Sequence, residues 1–137
     1  NTNGYGIRRN ATEITSNEIY DKINKQKILI NMILFRQYDE KNKIDKIWYD
    51  SSNIVYSECY DKTDDFKELK VVFKNGATYL YKKVDVNDYV MFAHGGIDNS
   101  NGKALNKFIK PKCEYERIEN TDIAELVNQM LLLKNNN

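Results

Sequence analysis

The sequence LKVVFKNGATYLY, from Leu69 to Tyr81, gives the clearest structural signal in the chain. Two runs rich in apolar and aromatic residues flank Asn75-Gly76. This dipeptide predicts a β-hairpin with a two-residue type I′ turn, which needs positive φ at both central residues. Such a turn places Lys70 opposite Tyr81. Because side chains alternate along a strand, the predicted hairpin has two faces: Leu69, Val71, Phe73 and Leu80 on one, and Lys70, Val72, Lys74, Tyr79 and Tyr81 on the other.

Length and composition predict one folded domain whose function depends on local features. The chain has 137 residues, of which 41% are hydrophobic, and a formal net charge of +1. A chain of this length can bury a core, and its balanced charge lacks the global basic field typical of nucleic-acid-binding proteins. Cys59 and Cys113 are too few for a disulfide scaffold, so we predict that both are reduced. The sequence has neither a run of about 18 apolar residues nor a visible signal peptide.

Residue usage gives a hint of source and location. Asn, Lys, Ile and Tyr are abundant, which is typical of an AT-rich coding genome such as that of a low-GC bacterium or its virus. The chain begins at Asn1 rather than Met, which favours a protein cut or trimmed from a longer chain. We therefore expect a bacterial or phage protein in the cytoplasm of the host cell or in a virion, with no membrane partner.

The first part of the chain predicts a flexible arm and a helix. Residues 1–10 are polar and include two glycines. Thr15 and Glu18 form a capping box, which predicts a helix over Ser16–Gln26.

The apolar run 27–38 fits two structures. Its Ile, Leu and Phe content favours a buried strand, followed by a turn at 39–42 and a returning strand at 44–49. The alternative is a single long helix, because Ile30, Ile33 and Leu34 extend the apolar stripe of the preceding helix. We favour the strand.

Beyond residue 50 the pattern predicts an antiparallel meander with short helices. In chain order we expect a strand at 53–60, a turn at 61–65 and then the hairpin. A helix at 86–94, begun near Asp85 or Asn87 and ended by Gly95-Gly96, comes next, followed by a loop at 97–102 and a helix at 103–110 stopped by Pro111. The last elements are a strand at 115–118 and a helix capped by Thr121 or Asn120, whose apolar stripe is Ile123, Leu126, Val127, Met130 and Leu131. The predicted fold class is α+β, an antiparallel β-meander packed by short helices with a helix at each end. We place the parts at 1–50, 51–118 and 119–137, with a boundary near Asp50-Ser51.

Five short motifs follow one another between residues 51 and 118. They are SSNI at Ser51–Ile54, FKNG leading to Tyr79-Leu80-Tyr81, VDVNDYVMF at Val84–Phe92, GKALNKFIK at Gly102–Lys110 and YERI at Tyr115–Ile118. In order and spacing this segment resembles the KTSC domain, a small module found alone in bacterial and phage proteins and at the C-terminus of some lysyl-tRNA synthetases. The resemblance implies a small β-meander with helices. It also implies a link to RNA, since RNA binding has been suggested for the family from its occurrence in a synthetase.

Tyr79 and Tyr81 form the first candidate binding surface, because the predicted register places Lys70 and Lys74 beside them. Aromatic rings stack on bases and ammonium groups neutralise phosphates in proteins that bind single strands. The alternative is that a helix covers this face and both tyrosines belong to the core.

The segment 102–113 forms the second candidate, because no acidic residue interrupts it. Lys103, Lys107 and Lys110 have the spacing i, i+4, i+7, which places them on one helical face together with Asn106. The alternative is the solvated face of an amphipathic helix. With Lys112, which follows, and Lys82, which we expect nearby, the predicted nucleic-acid-binding residues are Lys70, Lys74, Tyr79, Tyr81, Lys82, Lys103, Asn106, Lys107, Lys110 and Lys112.

Residues for catalysis do not form a recognisable set. His94 is the single histidine, and with two distant cysteines it gives no metal-ligand spacing. We therefore predict a non-enzymatic accessory protein without a cofactor, which binds single-stranded DNA or RNA. The alternative is a structural or protein-interaction component, such as a phage virion protein or a homo-oligomer, which the balanced charge and the apolar segment 28–35 favour.

Overall fold

A computed structural model describes residues 33–136 except 64, 96 and 99. Within these residues, six strands form one antiparallel sheet in which each strand pairs with its neighbours in sequence. The strands are β1 Ile33–Asp39, β2 Ile44–Tyr49, β3 Ile54–Asp61, β4 Phe66–Phe73, β5 Thr78–Asp85 and β6 Tyr115–Ile118. This order confirms the α+β class and the antiparallel meander. The predicted arm at 1–10 and helix at 16–26 lie outside the described residues.

The apolar run 27–38 is a strand from Ile33 onward, as favoured above, and residues 27–32 lie outside the described part. The returning strand matches the predicted bounds 44–49. The boundary expected near Asp50-Ser51 falls at the connection between β2 and β3, which pair with each other in the sheet, Ile47 opposite Ser57.

Three helices in the described part of the chain accompany the sheet. They are α1 Val86–Ala93, α2 Asn101–Ala104, which continues as a π-helical segment over Leu105–Ile109, and α3 Ile123–Asn135. Asp85 caps α1 as predicted, because its side chain accepts hydrogen bonds from the amides of Asn87 and Asp88. None of the helices in the described part is long and apolar enough to span a bilayer.

The hairpin register differs from the predicted one by one residue. The Phe73 carbonyl accepts a hydrogen bond from the Gly76 amide at 2.9 Å, and the Phe73 amide donates to the Ala77 carbonyl at 2.9 Å. The loop therefore has three residues, and Gly76 has φ +88° whereas Asn75 has no positive φ. This geometry is a type I turn followed by a glycine bulge, so the prediction of a type I′ turn was wrong.

The one-residue shift exchanges the faces of β5 relative to β4. Val71 lies opposite Tyr79, and Leu69 lies opposite Tyr81. Tyr79 and Tyr81 therefore share a face with Leu69 and Val71, not with Lys70 as predicted.

The two faces of the sheet carry separate cores. The first face packs against α1 and the helical segment 101–109. The core between the sheet and these helices includes Ile47, Leu69, Val71, Tyr81, Phe92, Leu105 and Ile109. The second face packs against α3, and its buried residues are Trp48, Tyr56, Val72 and Leu126.

Helix α3 begins and packs differently from the prediction. Asp122 is the N-cap, because its side chain accepts hydrogen bonds from the amides of Ala124 and Glu125. Thr121 contacts the hairpin instead: its amide donates to the Gly76 carbonyl at 2.9 Å, and its hydroxyl contacts that of Thr78 at 2.7 Å. The Trp48 indole N–H donates to the Leu126 carbonyl at 3.0 Å. This contact fixes the rotation of the helix: Ile123, Met130 and Leu133 pack on the sheet, whereas Val127 and Leu131 of the predicted stripe are 38% and 47% exposed.

A partly buried carboxylate stands on the second face. Glu58 accepts hydrogen bonds from the Tyr56 and Tyr60 hydroxyls, and Lys70 Nζ lies 3.0 Å from its Oε1. Burial acts to raise the pKa of Glu58, but the two tyrosines and Lys70 outweigh burial, and the resulting pKa is below its ordinary value.

We expect Gly76→Ala to reduce the free energy of unfolding by about 1–3 kcal/mol. Alanine is strained at positive φ, and its Cβ would lie 2.9 Å from the Thr121 carbonyl oxygen. Lys74→Ala in the same exposed turn is the matched control and should change stability by less than about 0.5 kcal/mol. Equal unfolding midpoints in urea for the two variants would contradict this account of the turn.

We expect the stability difference between wild type and Glu58→Gln to depend on pH. A carboxylate whose folded pKa is lowered stabilises the fold above its unfolded pKa of about 4.3, and this contribution is lost as the pH falls through the folded pKa. Urea denaturation should therefore give the full difference at pH 7 and a smaller one at about pH 3. The matched control, Glu116→Gln on strand β6, replaces an exposed residue and should change stability by less than about 0.5 kcal/mol at pH 7. A Glu58→Gln difference of equal size at both pH values would oppose the assignment.

Candidate nucleic-acid interface

A groove of about 580 Å³ opens on the first face, where the β4–β5 turn, strands β5 and β6, and the helical segment 101–109 meet. Its lining residues are Ser52, Asn53, Phe73, Lys74, Asn75, Ala77, Tyr79, Tyr81, Gly102, Asn106, Lys110 and Tyr115. Residues of both sequence-predicted surfaces thus line one groove: Lys74, Tyr79 and Tyr81 from the hairpin, and Asn106 and Lys110 from the helix.

Three tyrosines and Phe73 form the aromatic part of the groove. Tyr81 pairs with Tyr115 across β5 and β6, and their ring centroids lie 5.3 Å apart. Tyr79 lies 6.5 Å from Tyr81 and 6.2 Å from Tyr115. The three rings differ in burial: Tyr81 is 2% exposed, Tyr79 is half-buried and Tyr115 is 45% exposed. Tyr81 is therefore a core residue, and Tyr115 is the ring most accessible to a ligand.

Burial raises the pKa of Tyr81 to about 12, with smaller contributions from the neighbouring Tyr115 and Tyr79. The Tyr81 phenol therefore stays protonated and neutral at physiological pH. An uncharged aromatic floor suits stacking with the uncharged ring of a base.

The charge of the groove comes from two lysines. Lys74 belongs to the hairpin turn, and Lys110 follows the π-helical segment with its Nζ 5.9 Å from the centre of the Tyr115 ring. Among the described residues that line the groove, none is acidic. The lining is therefore positive and aromatic, which favours an anionic ligand with a planar group.

Five predicted residues do not line the groove. Lys70 lies on the second face with Glu58, Lys103 is 3.3 Å from Asp98 and Lys112 is 3.2 Å from Asp88. The other two are Lys107, whose Nζ lies 5.6 Å from the centre of the Phe108 ring, and Lys82, which is exposed on β5.

The sequence predicts that Lys103, Lys107 and Lys110 share one helical face, but the three lysines do not all line the groove. The Lys110 amide donates to the Leu105 carbonyl at 2.9 Å, a bond from residue i+5 to residue i. Such a turn is wider than an α-helical turn and rotates each residue by a smaller angle, so residues three apart diverge around the axis. The groove receives Asn106 and Lys110, but neither Lys103 nor Lys107.

A buried amide holds the helical segment in place. Asn101 is fully buried, and its Nδ2 donates to the Phe92 carbonyl at 2.9 Å, near the end of α1. Ser100 caps the segment by accepting a hydrogen bond from the Lys103 amide at 3.2 Å. These contacts fix the start of the segment that carries Asn106 and Lys110.

Sequence reasoning missed the polar side of the groove. Asn53 comes from the β2–β3 connection, and a Cβ at Gly102 would lie 3.2 Å from its side-chain nitrogen. Gly102 therefore allows Asn53 to approach the helical segment closely. The available signals were Asn53 in SSNI and the glycine before Lys103, but only the folded sheet brings these two segments together.

Another polar cluster, around Asp45, is engaged internally. Arg36 forms two hydrogen bonds of 2.9 Å with the buried Asp45, which also accepts one from the Tyr89 hydroxyl at 2.7 Å.

Burial raises the pKa of the nearby Cys59 thiol to about 12, which makes it a poor nucleophile. Within the described part of the chain, no group of three His, Cys, Asp or Glu side chains has the arrangement of a metal site.

Comparison with known proteins gives no family and no relative. No family model matches the chain, and no curated protein is similar to it in sequence. The resemblance of residues 51–118 to the KTSC domain stays a sequence-based prediction.

Tyr81→Ala and Tyr115→Ala should differ in their effect on stability. Truncation of the buried Tyr81 ring should cost about 3–5 kcal/mol of unfolding free energy, as for other large buried aromatic residues. Tyr115→Ala should cost less than about 1 kcal/mol, because nearly half of that residue is exposed. Urea denaturation of both variants checks this difference, and equal losses would contradict the assignment of Tyr81 to the core and Tyr115 to the rim.

Proposed function

We propose that the protein is a non-enzymatic accessory protein that binds single-stranded nucleic acid in this groove. The observation that carries the proposal is the lining itself: three tyrosines, two lysines and no acidic side chain among the described residues. In the proposed complex a base stacks on Tyr115 and Tyr79, while Lys74 and Lys110 contact phosphates.

The uncharged polar residues of the groove support the same ligand. Asn53 and Asn106 are exposed amides on two sides of it, and amide groups can both donate to and accept from base edges. The resemblance to the KTSC domain also favours a nucleic-acid partner. A bacterial or phage origin, and a place in the cytoplasm or the virion, are part of the same proposal.

A second candidate function is association with another protein or with a second copy of the chain. It is favoured by the side of α3 turned away from the sheet, where Val127, Leu131 and Leu132 are exposed. Light scattering that gives a monomer at high concentration, with and without the nucleic-acid ligand, would count against self-association.

The proposed function predicts that Lys110→Gln and Tyr115→Ala weaken binding, whereas Lys107→Gln does not. Fluorescence polarisation with labelled single strands at about 50 mM salt measures the affinities. We expect about a 5-fold to 150-fold loss for Tyr115→Ala, which corresponds to about 1–3 kcal/mol of stacking. Lys110→Gln should also flatten the slope of log affinity against log salt by about 0.7.

Lys107→Gln is the matched control, because Lys107 belongs to the same segment but does not line the groove. Thermal melts confirm that each variant is folded. Wild-type protein that binds no single strand at tens of micromolar would refute the proposed function. Equal losses for Lys107→Gln and Lys110→Gln would place the site elsewhere on the helix.

A further inference from the structure

The groove provides few cations and a short floor. Lys74 and Lys110 are the two lysines in its described lining, and the other five predicted lysines lie outside it. A surface that follows a long strand needs a cation for many successive phosphates, and it covers about 4–16 nucleotides in proteins built around such a groove. Two lysines can serve only a few phosphates.

The dimensions of the groove also indicate a ligand with only a few phosphates. The floor runs from Ala77, directly before β5, to Tyr81 on β5. These residues are four apart, which spans about 14 Å at about 3.4 Å per residue. The volume of about 580 Å³ lies within the range of about 300–1,000 Å³ that is typical of pockets for single small molecules.

The two lysines approach the groove from different ends. Lys74 lies in the turn that precedes Ala77, whereas Lys110 lies near Tyr115, which pairs with Tyr81 at the other end of the floor. The rings and the amides of Asn53 and Asn106 belong to the same lining. A planar base between two phosphate contacts matches this arrangement.

We infer that the groove binds one or two nucleotides as a unit and does not follow a longer strand. This inference rests on the proposed function and specifies its ligand. The shared chemistry is a base with one or two phosphates, and two sources can supply it: a free nucleotide, or a short unpaired segment of a strand.

A length series tests the inference with defined probes. Isothermal titration of the full chain with thymidine 5′-monophosphate, the dinucleotide pTpT, and oligothymidylates of about four and twelve nucleotides gives the affinity for each length. We expect the affinity to level off by the dinucleotide, apart from the statistical factor that longer strands gain from their overlapping sites. Equal binding of monophosphate and dinucleotide supports a free nucleotide as the source, and binding that begins at the dinucleotide supports a strand segment.

Salt dependence gives an independent measure of ligand size. Two lysines on a single strand predict a slope of log affinity against log salt of about −1.4, at about 0.7 for each phosphate neutralised. The double variant Lys74→Gln/Lys110→Gln should remove most of this slope. The matched double variant Lys103→Gln/Lys107→Gln should leave it unchanged, since both residues lie outside the groove.

Three results separate failure of the inference from failure of the proposed function. Affinity that rises well beyond the statistical factor between the dinucleotide and the longest strand overturns the inference and leaves the function intact. A flattened salt slope in the Lys103→Gln/Lys107→Gln variant also overturns the inference and leaves the function intact, because the strand would then extend beyond the groove across the helical segment. If no probe of any length binds, the inference and the proposed function both fail.

Discussion

The conformation of Gly76 determines both faces of the sheet. Its positive φ makes the β4–β5 connection a three-residue loop, and this loop sets the register that places Tyr79 and Tyr81 on the first face. Its carbonyl accepts the hydrogen bond from Thr121, which fixes where the chain enters α3 on the second face. A residue with a Cβ would be strained at this φ and would contact the Thr121 carbonyl. One backbone conformation thus positions the groove on one side and the terminal helix on the other.

The fold places the lysines in two different environments. Lys70, on the second face, lies beside a carboxylate that two tyrosine hydroxyls also contact. A partly buried group of this kind contributes to fold stability, since removal of one partner leaves the others unsatisfied. Lys74 and Lys110 line a groove whose described residues include no acid, so their charge is available to a ligand. Proximity of lysines in the sequence therefore does not indicate a shared environment here.

Much of the fold could be predicted from sequence, because strands, helix caps and stops depend on local chemistry. The strand 44–49, the cap at Asp85 and the final strand 115–118 are examples. The groove could be predicted only in part. Asn-Gly is compatible with two loop lengths, and the choice between them depends on which face of β5 is buried by α1 and the helical segment. The π-helical bond from Lys110 to Leu105 has no sequence signal of its own, and the approach of Asn53 to Gly102 depends on the completed sheet.

The groove shares its floor with the core, and this sharing limits where its specificity can reside. Tyr81 is almost completely buried and packs with Leu69, Val71 and Leu105, so a change at this position alters the fold and the binding surface together. Tyr115, Lys74, Asn53 and Asn106 are exposed at the rim, where substitutions usually cost little stability. Tyr115 belongs to β6, which lies at one edge of the sheet formed by the described strands and pairs there with β5. Under the proposed function, a rim of exposed residues on an edge strand, a turn and a helical segment can therefore change its ligand preference while the buried aromatic floor keeps its geometry.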